Sequence, residues 1–182
     1  MARILVAPDK FKGSADARRV AAAVVTGMRA VDPDVDVDAV PIADGGEGTL
    51  HAALAAGFAR VPVVASGPVG DPVWTAYARR DNMALIETAD VTGLMRLPGG
   101  RPAPLVASSR GAGEVIAAAL DAGCTEIVVG IVGSACTDGG AGLVSALGGR
   151  VLERRGRQVS DGGATLIDAH TVDLSGLHPR LS

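Results

Sequence analysis

The chain has 182 residues, of which 48% are hydrophobic, and its formal net charge at pH 7 is −3. This length can bury a hydrophobic core and suits one domain or two small ones. The acidic balance, the lack of a long Lys or Arg block and an aromatic content of only 2% argue against a nucleic-acid partner.

The sequence shows no pattern typical of a disulfide framework, a signal peptide or a membrane span. Cys124 and Cys136 form neither a disulfide framework nor a Cys-x-x-Cys metal motif. The apolar run at the start is too short for a signal-peptide core, and no stretch of about 18 apolar residues follows. We therefore expect a cytoplasmic protein that does not bind membranes.

The first part of the chain alternates predicted strands and helices. A buried strand at 4–7 opens into a polar loop, after which Ser14 is predicted to cap a long helix. A second strand at 35–42 leads into an acidic, glycine-rich loop at 43–49 and a short helix. This β-loop-α repeat predicts a parallel sheet covered by helices, with ligand-binding loops beyond the carboxyl ends of its strands.

The pattern changes after residue 60, where three strand-like runs alternate with polar turns. We place a domain boundary near Ser66. Residues 1–66 are predicted to form the amino-terminal part of an incomplete, Rossmann-like α/β domain with a parallel sheet. Residues 67–182 are predicted to form part of a second α/β domain with a mixed sheet.

The strand predicted at 126–131 is so apolar that we expect it to be the most buried in the chain. It leads into a second glycine-rich loop, from Gly133 to Gly142, and another short helix. A hairpin is predicted around 150–157, and the sequence then becomes loop-like to the end.

The pattern Asp-Gly-Gly-x-Gly occurs at 44–48 and again at 138–142, each time between a predicted strand and a predicted helix. Glycine lets the backbone approach a ligand closely, and free N–H groups at a helix start bind anions. Carboxylates beside a phosphate favour a bridging Mg²⁺, so Asp44, Glu47 and Asp138 are candidates for metal or general-base chemistry. The alternative, a simple tight turn, has a prior of about one third for either loop.

Other candidates are less specific. Lys10 and Lys12 follow the first strand, where a cation could neutralise a phosphate, but solvated lysines are an equally weighted alternative. A third Asp-Gly-Gly, at 161–163, lacks the last glycine and is interpreted as an ordinary turn. Neither a Walker loop nor the protein-kinase glycine loop is present, and the three histidines are spaced too widely for a transition-metal site.

Three segments resemble the glycerate kinase family of bacteria. They are Ala7-Pro8-Asp9-Lys10-Phe11-Lys12-Gly13-Ser14, Ala43-Asp44-Gly45-Gly46-Glu47-Gly48-Thr49 and Gly133-Ser134-Ala135-Cys136-Thr137-Asp138-Gly139-Gly140-Ala141-Gly142. The similarity runs through essentially the whole chain. Family members are about twice as long, so the chain resembles their amino-terminal half and the carboxyl-terminal half is absent.

The resemblance implies transfer of the γ-phosphoryl group of ATP to D-glycerate with Mg²⁺, giving 2-phosphoglycerate. It implies catalytic roles for Asp138, Asp44 and Lys10, with Asp138 orienting or deprotonating the glycerate hydroxyl. Asp44 and Glu47 are implied as metal ligands. Contacts to phosphate or substrate are implied for Lys12, Ser14, Gly45, Gly46, Gly133, Ser134, Gly139 and Gly140. Which of the two loops would hold ATP stays open.

The resemblance also leaves alternatives. Val132 replaces a glycine that is usual in the family, and Ala112 stands where a threonine is common. A split enzyme would need a complementing carboxyl-terminal half, and a homo-oligomer is a further option. The alternative functions are a non-catalytic remnant acting as an interaction or structural module, and a metal-dependent phosphatase using Asp44 and Asp138.

Overall fold

The computed structural model describes residues 3–11, 14–40 and 42–181; Lys12, a predicted phosphate contact, lies outside these residues. Within them the strands are β1 (Arg3–Val6), β2 (Asp36–Ala39), β3 (Ala59–Ser66), β4 (Pro72–Arg80), β5 (Met83–Glu87), β6 (Glu126–Gly130), β7 (Arg150–Glu153) and β8 (Ala169–Asp173). The α-helices are α1 (Ala17–Val31), α2 (Thr49–Ala55), α3 (Thr88–Thr92), α4 (Arg110–Asp121) and α5 (Ala141–Ala146).

The first layer is a two-stranded parallel sheet of β1 and β2, against which α1 packs. The helix is capped by Asp16, whose side chain accepts a hydrogen bond of 2.8 Å from the Arg19 N–H. The prediction that Ser14 caps this helix is wrong, because Asp16 holds the position directly before the first helical residue. The Ser14 hydroxyl instead donates to the Phe11 carbonyl oxygen at 3.2 Å.

The second layer is a four-stranded mixed sheet in the order β3-β4-β5-β6, antiparallel except for the parallel pair β5 and β6. The predicted α/β architecture, with a parallel sheet and a mixed sheet, is confirmed. The mixed sheet begins at Ala59, ahead of the domain boundary predicted near Ser66. Strand β3 pairs with β4 along its full length, so that boundary falls at the end of a strand inside this sheet.

Helices cover both faces of the mixed sheet. On one face α4 contributes Val115 and Leu120 to a core that includes Tyr77 and Ile86 from the strands. On the other face α2 packs through Leu50 and Ala53 onto Ala76 and Ala78. Tyr77 lies on one face and its neighbours Ala76 and Ala78 on the other, because successive side chains of a strand point to opposite faces of the sheet.

The prediction that the strand at 126–131 is the most buried is wrong. In β6 the exposed and half-buried residues alternate, and Val128 is 46% exposed. The more deeply buried strands are β4 and β5, which lie in the middle of the sheet, whereas β6 lies at its edge. An apolar run shows that a strand suits burial, but it does not reveal the order of strands in the sheet.

The end of the chain contains more structure than predicted. The turn after β7 closes as a hairpin, since the Val159 N–H donates to the Val151 carbonyl oxygen at 2.8 Å. The loop-like stretch that follows includes β8, which pairs antiparallel with β7. No helix in the described part of the chain combines the length and apolar character needed to cross a membrane.

Candidate functional site

Lys10 and Asp44 form an ion pair just beyond the carboxyl ends of β1 and β2. The Lys10 Nζ donates to Asp44 Oδ1 at 2.9 Å, and the lysine side chain is largely enclosed, with 15% exposure. The hydrogen bond from Lys10, followed by one from the Gly46 N–H, lowers the pKa of Asp44. The same bond to Asp44 raises the pKa of Lys10, although its partial burial opposes this. Both groups therefore stay charged at neutral pH.

The loop from Asp44 to Gly48 is held by its own carboxylate. Asp44 Oδ1 accepts from the Gly46 N–H at 2.9 Å, which forms an Asx turn. The loop ends at Gly48, whose φ of 98° lies in the left-handed region that favours glycine. Glu47, the other predicted metal ligand, is exposed on this loop.

A cavity of about 820 Å³ lies beside this pair, between the first sheet and α2. It is lined by Lys10, Ser14, Glu47, His51 and the first turn of α1. Predicted phosphate and metal contacts from two separate loops thus meet around one space. A cavity of this size can enclose a small anionic ligand.

Glu87 is a buried carboxylate that the sequence analysis missed. It ends β5, is only 4% exposed, and accepts hydrogen bonds from the N–H groups of Gly48 at 3.3 Å and Leu50 at 2.8 Å. Burial raises its pKa, against the effect of those two bonds. Glu87 ties the first glycine loop to the mixed sheet. A charged residue at the end of an otherwise apolar predicted strand was the signal that could have identified it.

Asp138 in the second loop has a different environment. It is 1% exposed, and its Oδ2 accepts from the N–H and hydroxyl of Ser109 at 2.8 and 2.9 Å and from the Gly142 N–H at 3.2 Å. The Ser108 hydroxyl donates to the same oxygen at 3.3 Å, while Oδ1 accepts from the Gly140 N–H at 3.2 Å. All of these partners lie within residues 108–142.

These contacts determine what Asp138 can do. Burial alone would raise its pKa, but the hydrogen bonds from Ser109 and from the glycine N–H groups outweigh it, and the pKa is lowered. A carboxylate with both oxygens occupied and a low pKa is a weak proton acceptor. In this conformation Asp138 therefore fixes the second loop to α4, instead of presenting a free oxygen to a substrate hydroxyl.

The remaining predicted contacts lie along the second loop. The Gly133 carbonyl oxygen accepts from the Leu94 N–H at 3.1 Å, and the Ser134 hydroxyl lies 2.9 Å from the Cys136 sulfur. Gly139 and Gly140 both have positive φ, and Gly140 directly precedes α5. The Asp-Gly-Gly interpreted as an ordinary turn lies next to this loop, since Asp161 forms a bidentate ion pair with Arg110 at the start of α4.

The first loop contacts the end of β6 and the residues just before the second loop. A methyl group placed on Gly130 would lie 2.3 Å from the Gly45 carbonyl oxygen, so these two backbones are in direct contact. One placed on Gly46 would lie 3.1 Å from a methyl of Val132. The structure thus brings Lys10, Ser14, Asp44 and Glu47 together, and places Asp138 in a separate hydrogen-bond network.

No three His, Cys, Asp or Glu side chains converge to hold a metal anywhere in the described residues. This is compatible with the predicted Mg²⁺, which is commonly held by one or two carboxylates together with substrate phosphates and water. Asp44 and Glu47, on one loop beside an anion-sized cavity, fit that donor set.

Comparisons with known proteins match nearly the whole chain. The glycerate kinase family profile covers residues 4–182. The glycerate kinase of Bacillus subtilis is 42% identical over 182 residues, and the glycerate 2-kinase of Escherichia coli is 43% identical over 183; each alignment covers 98% of this chain and 48% of the relative. Glycerate kinase 2 from Salmonella typhimurium LT2 superposes with a TM-score of 0.79 at 43% identity, covering 99% of this chain and 49% of that one. The chain spans about half the length of these relatives.

Proposed function

Because the chain belongs to the glycerate kinase family, we propose that it transfers the γ-phosphoryl group of ATP to D-glycerate, giving 2-phosphoglycerate, as one half of the active enzyme. The reaction joins a glycerate hydroxyl oxygen to the γ-phosphorus, breaks the bond to ADP and releases the hydroxyl proton. The complementing half would correspond to the part of the relatives that this chain does not match.

The observation that carries the proposal is the Lys10–Asp44 pair at the cavity margin. Phosphoryl transfer depends on positioning and on neutralising the charge of the transferring group, more than on covalent chemistry by the protein. A protonated lysine beside a glycine loop attracts an anion through its positive charge, and the loop can add backbone N–H donors. Lys10 would bind the phosphoryl group or the glycerate carboxylate.

The neighbouring residues would then orient the ligands. The Asx turn and the link to Glu87 hold the 44–48 loop in one shape, which makes its donors preorganised. Asp44 and Glu47 would hold Mg²⁺, which supplies charge neutralisation for the phosphates when it is bound. We assign Asp138 to positioning of the second loop, whose Gly139 and Gly140 remain proposed phosphate contacts.

We place this activity in the cytoplasm. Cys124 is buried and Cys136 half-buried, and both are free thiols. Unpaired cysteines suit a reducing compartment.

One observation favours the alternative of a non-catalytic module. The Val132 side chain fills the space beside Gly46, at a position where the resemblance leads us to expect glycine. If this methyl group closes the approach to the loop, the fold would remain while ligand binding is lost. Replacing Val132 with Gly should then create ATP or glycerate binding, measured by calorimetry, that the unmodified chain lacks.

The direct test is coupled ATP turnover with D-glycerate and Mg²⁺, using the chain alone and co-expressed with the carboxyl-terminal half of the Escherichia coli relative. We expect Lys10→Met and Asp44→Asn each to reduce turnover at least about 100-fold, since each removes a charge that positions the transferring group. Asp34→Asn, at an exposed carboxylate after α1, is the matched control and should leave turnover unchanged. Equal activity in all variants, or none in either form, would contradict the proposal.

A further inference from the structure

The hairpin of β7 and its following turn carries a run of arginines at 154–157. The Gly156 N–H donates to the Glu153 carbonyl oxygen at 2.9 Å, and the Glu153 N–H donates to the Arg157 carbonyl oxygen at 2.8 Å. Gly156 has a φ of 78°, which fits a hairpin loop that ends in a left-handed glycine. This turn holds Arg154 and Arg155 next to each other at its two central positions.

The arginines of this turn differ in their partners. Arg157 holds Glu153 in a bidentate ion pair, with its Nη2 at 3.0 and 3.1 Å from the two carboxylate oxygens. Arg154 and Arg155 are exposed, and among the described residues neither side chain has a hydrogen-bond or ion-pair partner. In a chain whose net charge is −3, these two adjacent guanidinium groups form a local positive patch.

A cavity of about 540 Å³ lies against this turn. It is lined by the turn itself, by the end of the 3-10 helix Gly163–Asp168 and by the first residues of β8. Within the part of the chain that the structure describes, this lining shares no residue with the cavity beside Lys10. Cavities of this size hold small organic ligands.

His170 lies at an irregularity in the pairing of β7 with β8. Leu152 is opposite Thr171 and Glu153 is opposite Ala169, so the register of the described strands skips His170. An extra residue of this kind is a β-bulge, and bulges commonly re-aim a side chain next to a functional site. His170 is exposed and lines the cavity together with the arginines. Its imidazole adds a hydrogen-bond donor to the site.

Two further residues of the lining narrow the class of ligand. Ile167 is 88% exposed and offers an apolar surface. Asp168 is exposed, and no described residue donates a hydrogen bond to its carboxylate. A carboxylate repels an anion but accepts a hydrogen bond from a hydroxyl group. The lining therefore suits a ligand that carries a phosphate at one end and hydroxyl groups on a carbon skeleton.

We propose that this cavity binds a phosphorylated sugar or polyol, with the phosphate on Arg154 and Arg155 and the hydroxyl groups on Asp168. A guanidinium group matches phosphate oxygens with two parallel N–H donors. His170 donates to the same phosphate, and the carbon skeleton lies over Ile167. Because its lining is separate from the Lys10 cavity, this site does not depend on the proposed function.

A solvated turn would behave differently. Exposed arginines attract any phosphate by charge, and that attraction does not distinguish what the phosphate is attached to. A built site adds contacts to the hydroxyl groups and the carbon skeleton, so it binds the organic phosphate more tightly than the free ion. Preference for the organic phosphate is therefore the property that separates the two.

Nuclear magnetic resonance of the isotope-labelled chain tests the site directly. The probes are glucose 6-phosphate, inorganic phosphate and glucose, added without nucleotide, glycerate or Mg²⁺. We expect glucose 6-phosphate to shift the amide signals of residues 153–157 and 167–170. It should bind at least about 10-fold more tightly than inorganic phosphate, and glucose should give no shifts in this range.

Variants then assign the contacts. Arg154→Gln and Arg155→Gln should each weaken glucose 6-phosphate binding at least about 10-fold, since each removes a charge-assisted hydrogen-bonding group. Arg101→Gln is the matched control, because Arg101 is exposed and does not line this cavity. Asp168→Ala should weaken binding of glucose 6-phosphate and leave inorganic phosphate unaffected or tighter. All four changes are at exposed positions, and circular dichroism melts check that each variant folds.

Three results would overturn the proposal. The first is an absence of shifts at residues 153–157 and 167–170 with every probe. The second is equal affinity for glucose 6-phosphate and inorganic phosphate, which is the behaviour of a solvated turn. The third is loss of binding in Lys10→Met together with unchanged binding in Arg154→Gln, which would place the phosphate in the first cavity. Kinase turnover is measured separately, so its absence would refute the proposed function and leave this site standing.

Discussion

The two Asp-Gly-Gly-x-Gly loops share a sequence and a local turn but differ in what their aspartates can do. In each, the carboxylate accepts from the N–H two residues ahead, at 2.9 Å for Asp44 and 3.2 Å for Asp138. Asp44 is exposed and pairs with Lys10, whereas Asp138 is buried and is surrounded by serine and glycine donors. The motif fixes the turn, and the surrounding structure fixes the role.

The start of the following helix differs as well. Helix α2 begins after the fifth residue of the first motif, whereas α5 begins after the third residue of the second. In the second loop the last glycine, Gly142, thus lies inside the helix, where a methyl group would lie 2.1 Å from the Ser108 hydroxyl oxygen. The last glycine of the second motif is therefore enclosed by its neighbours, whereas Gly48, the last glycine of the first motif, has open space beside it.

The largest expected effect in this comparison is on stability. Asp138→Ala leaves the N–H groups of Ser109, Gly140 and Gly142 without their acceptor, and we expect the free energy of unfolding to fall by about 3–5 kcal/mol. Asp44→Ala, the same change in the same motif, is its control. Urea denaturation measures both. Equal losses of unfolding free energy in the two variants would show that the two aspartates contribute equally to stability, which would contradict this comparison.

A smaller effect is expected at Glu87, which supports the open loop from behind. Glu87→Ala removes the acceptor of the Gly48 and Leu50 N–H groups and should cost about 1–3 kcal/mol of unfolding free energy. Glu87→Gln keeps the shape of the side chain and removes its negative charge, so comparing it with Glu87→Ala separates the two effects. Because burial raises the pKa of Glu87 above its ordinary 4.5, the folded state holds this proton more tightly than the unfolded state does.

The pH dependence of stability follows from that shift. The stability of the unmodified chain relative to Glu87→Gln should decrease as pH rises from about 4.5 through the folded-state pKa, and then stay constant. Urea denaturation at a series of pH values measures this difference. A difference that is flat from pH 4 to pH 7, or that grows with pH, would contradict a pKa raised by burial at Glu87.

The smallest stability effect is expected for the Lys10–Asp44 pair. Asp44→Asn and Lys10→Met should each change the free energy of unfolding by less than about 1 kcal/mol, because the Asp44 carboxylate is open to solvent and such ion pairs contribute little. Because the pKa of Asp44 is lowered, its charge stabilises the folded state above about pH 3.8, and this stabilisation is lost at lower pH. Because the pKa of Lys10 is raised, its charge stabilises the folded state below about pH 10.5, and this stabilisation is lost at higher pH. The small difference between the unmodified chain and Asp44→Asn should therefore be constant over about pH 5–9.

Much of the fold could be predicted from local patterns. The alternation of apolar runs with glycine-rich loops located β1, β2, α2, α4 and β6, and it placed Lys10 and Asp44 at the ends of neighbouring strands. That the two loops lie close together follows, since parallel strands end at the same edge of a sheet. The ion pair between Lys10 and Asp44 was not predicted. The family resemblance added the substrate class, which no spacing could supply.

What could not be predicted depends on contacts between distant parts of the chain. Asp138 is buried where Ser108 and Ser109 donate hydrogen bonds to it. Glu87 supports the first glycine loop because it accepts a hydrogen bond from the Leu50 N–H just after that loop. The position of β6 at an edge depends on the order of strands, which a single sequence does not encode locally. Each of these features becomes visible only when separate elements are packed together.

Among the described residues the first sheet has two strands, and a two-stranded unit is marginal by itself. The loop after β1, the first turn of α1 and the end of β2 nonetheless build one side of the cavity that Lys10 lines. Segments of low local stability open often and are cut first by proteases. A ligand that settles in this cavity would therefore slow limited proteolysis within residues 3–40 before any product is formed, and that protection would rise with ligand concentration.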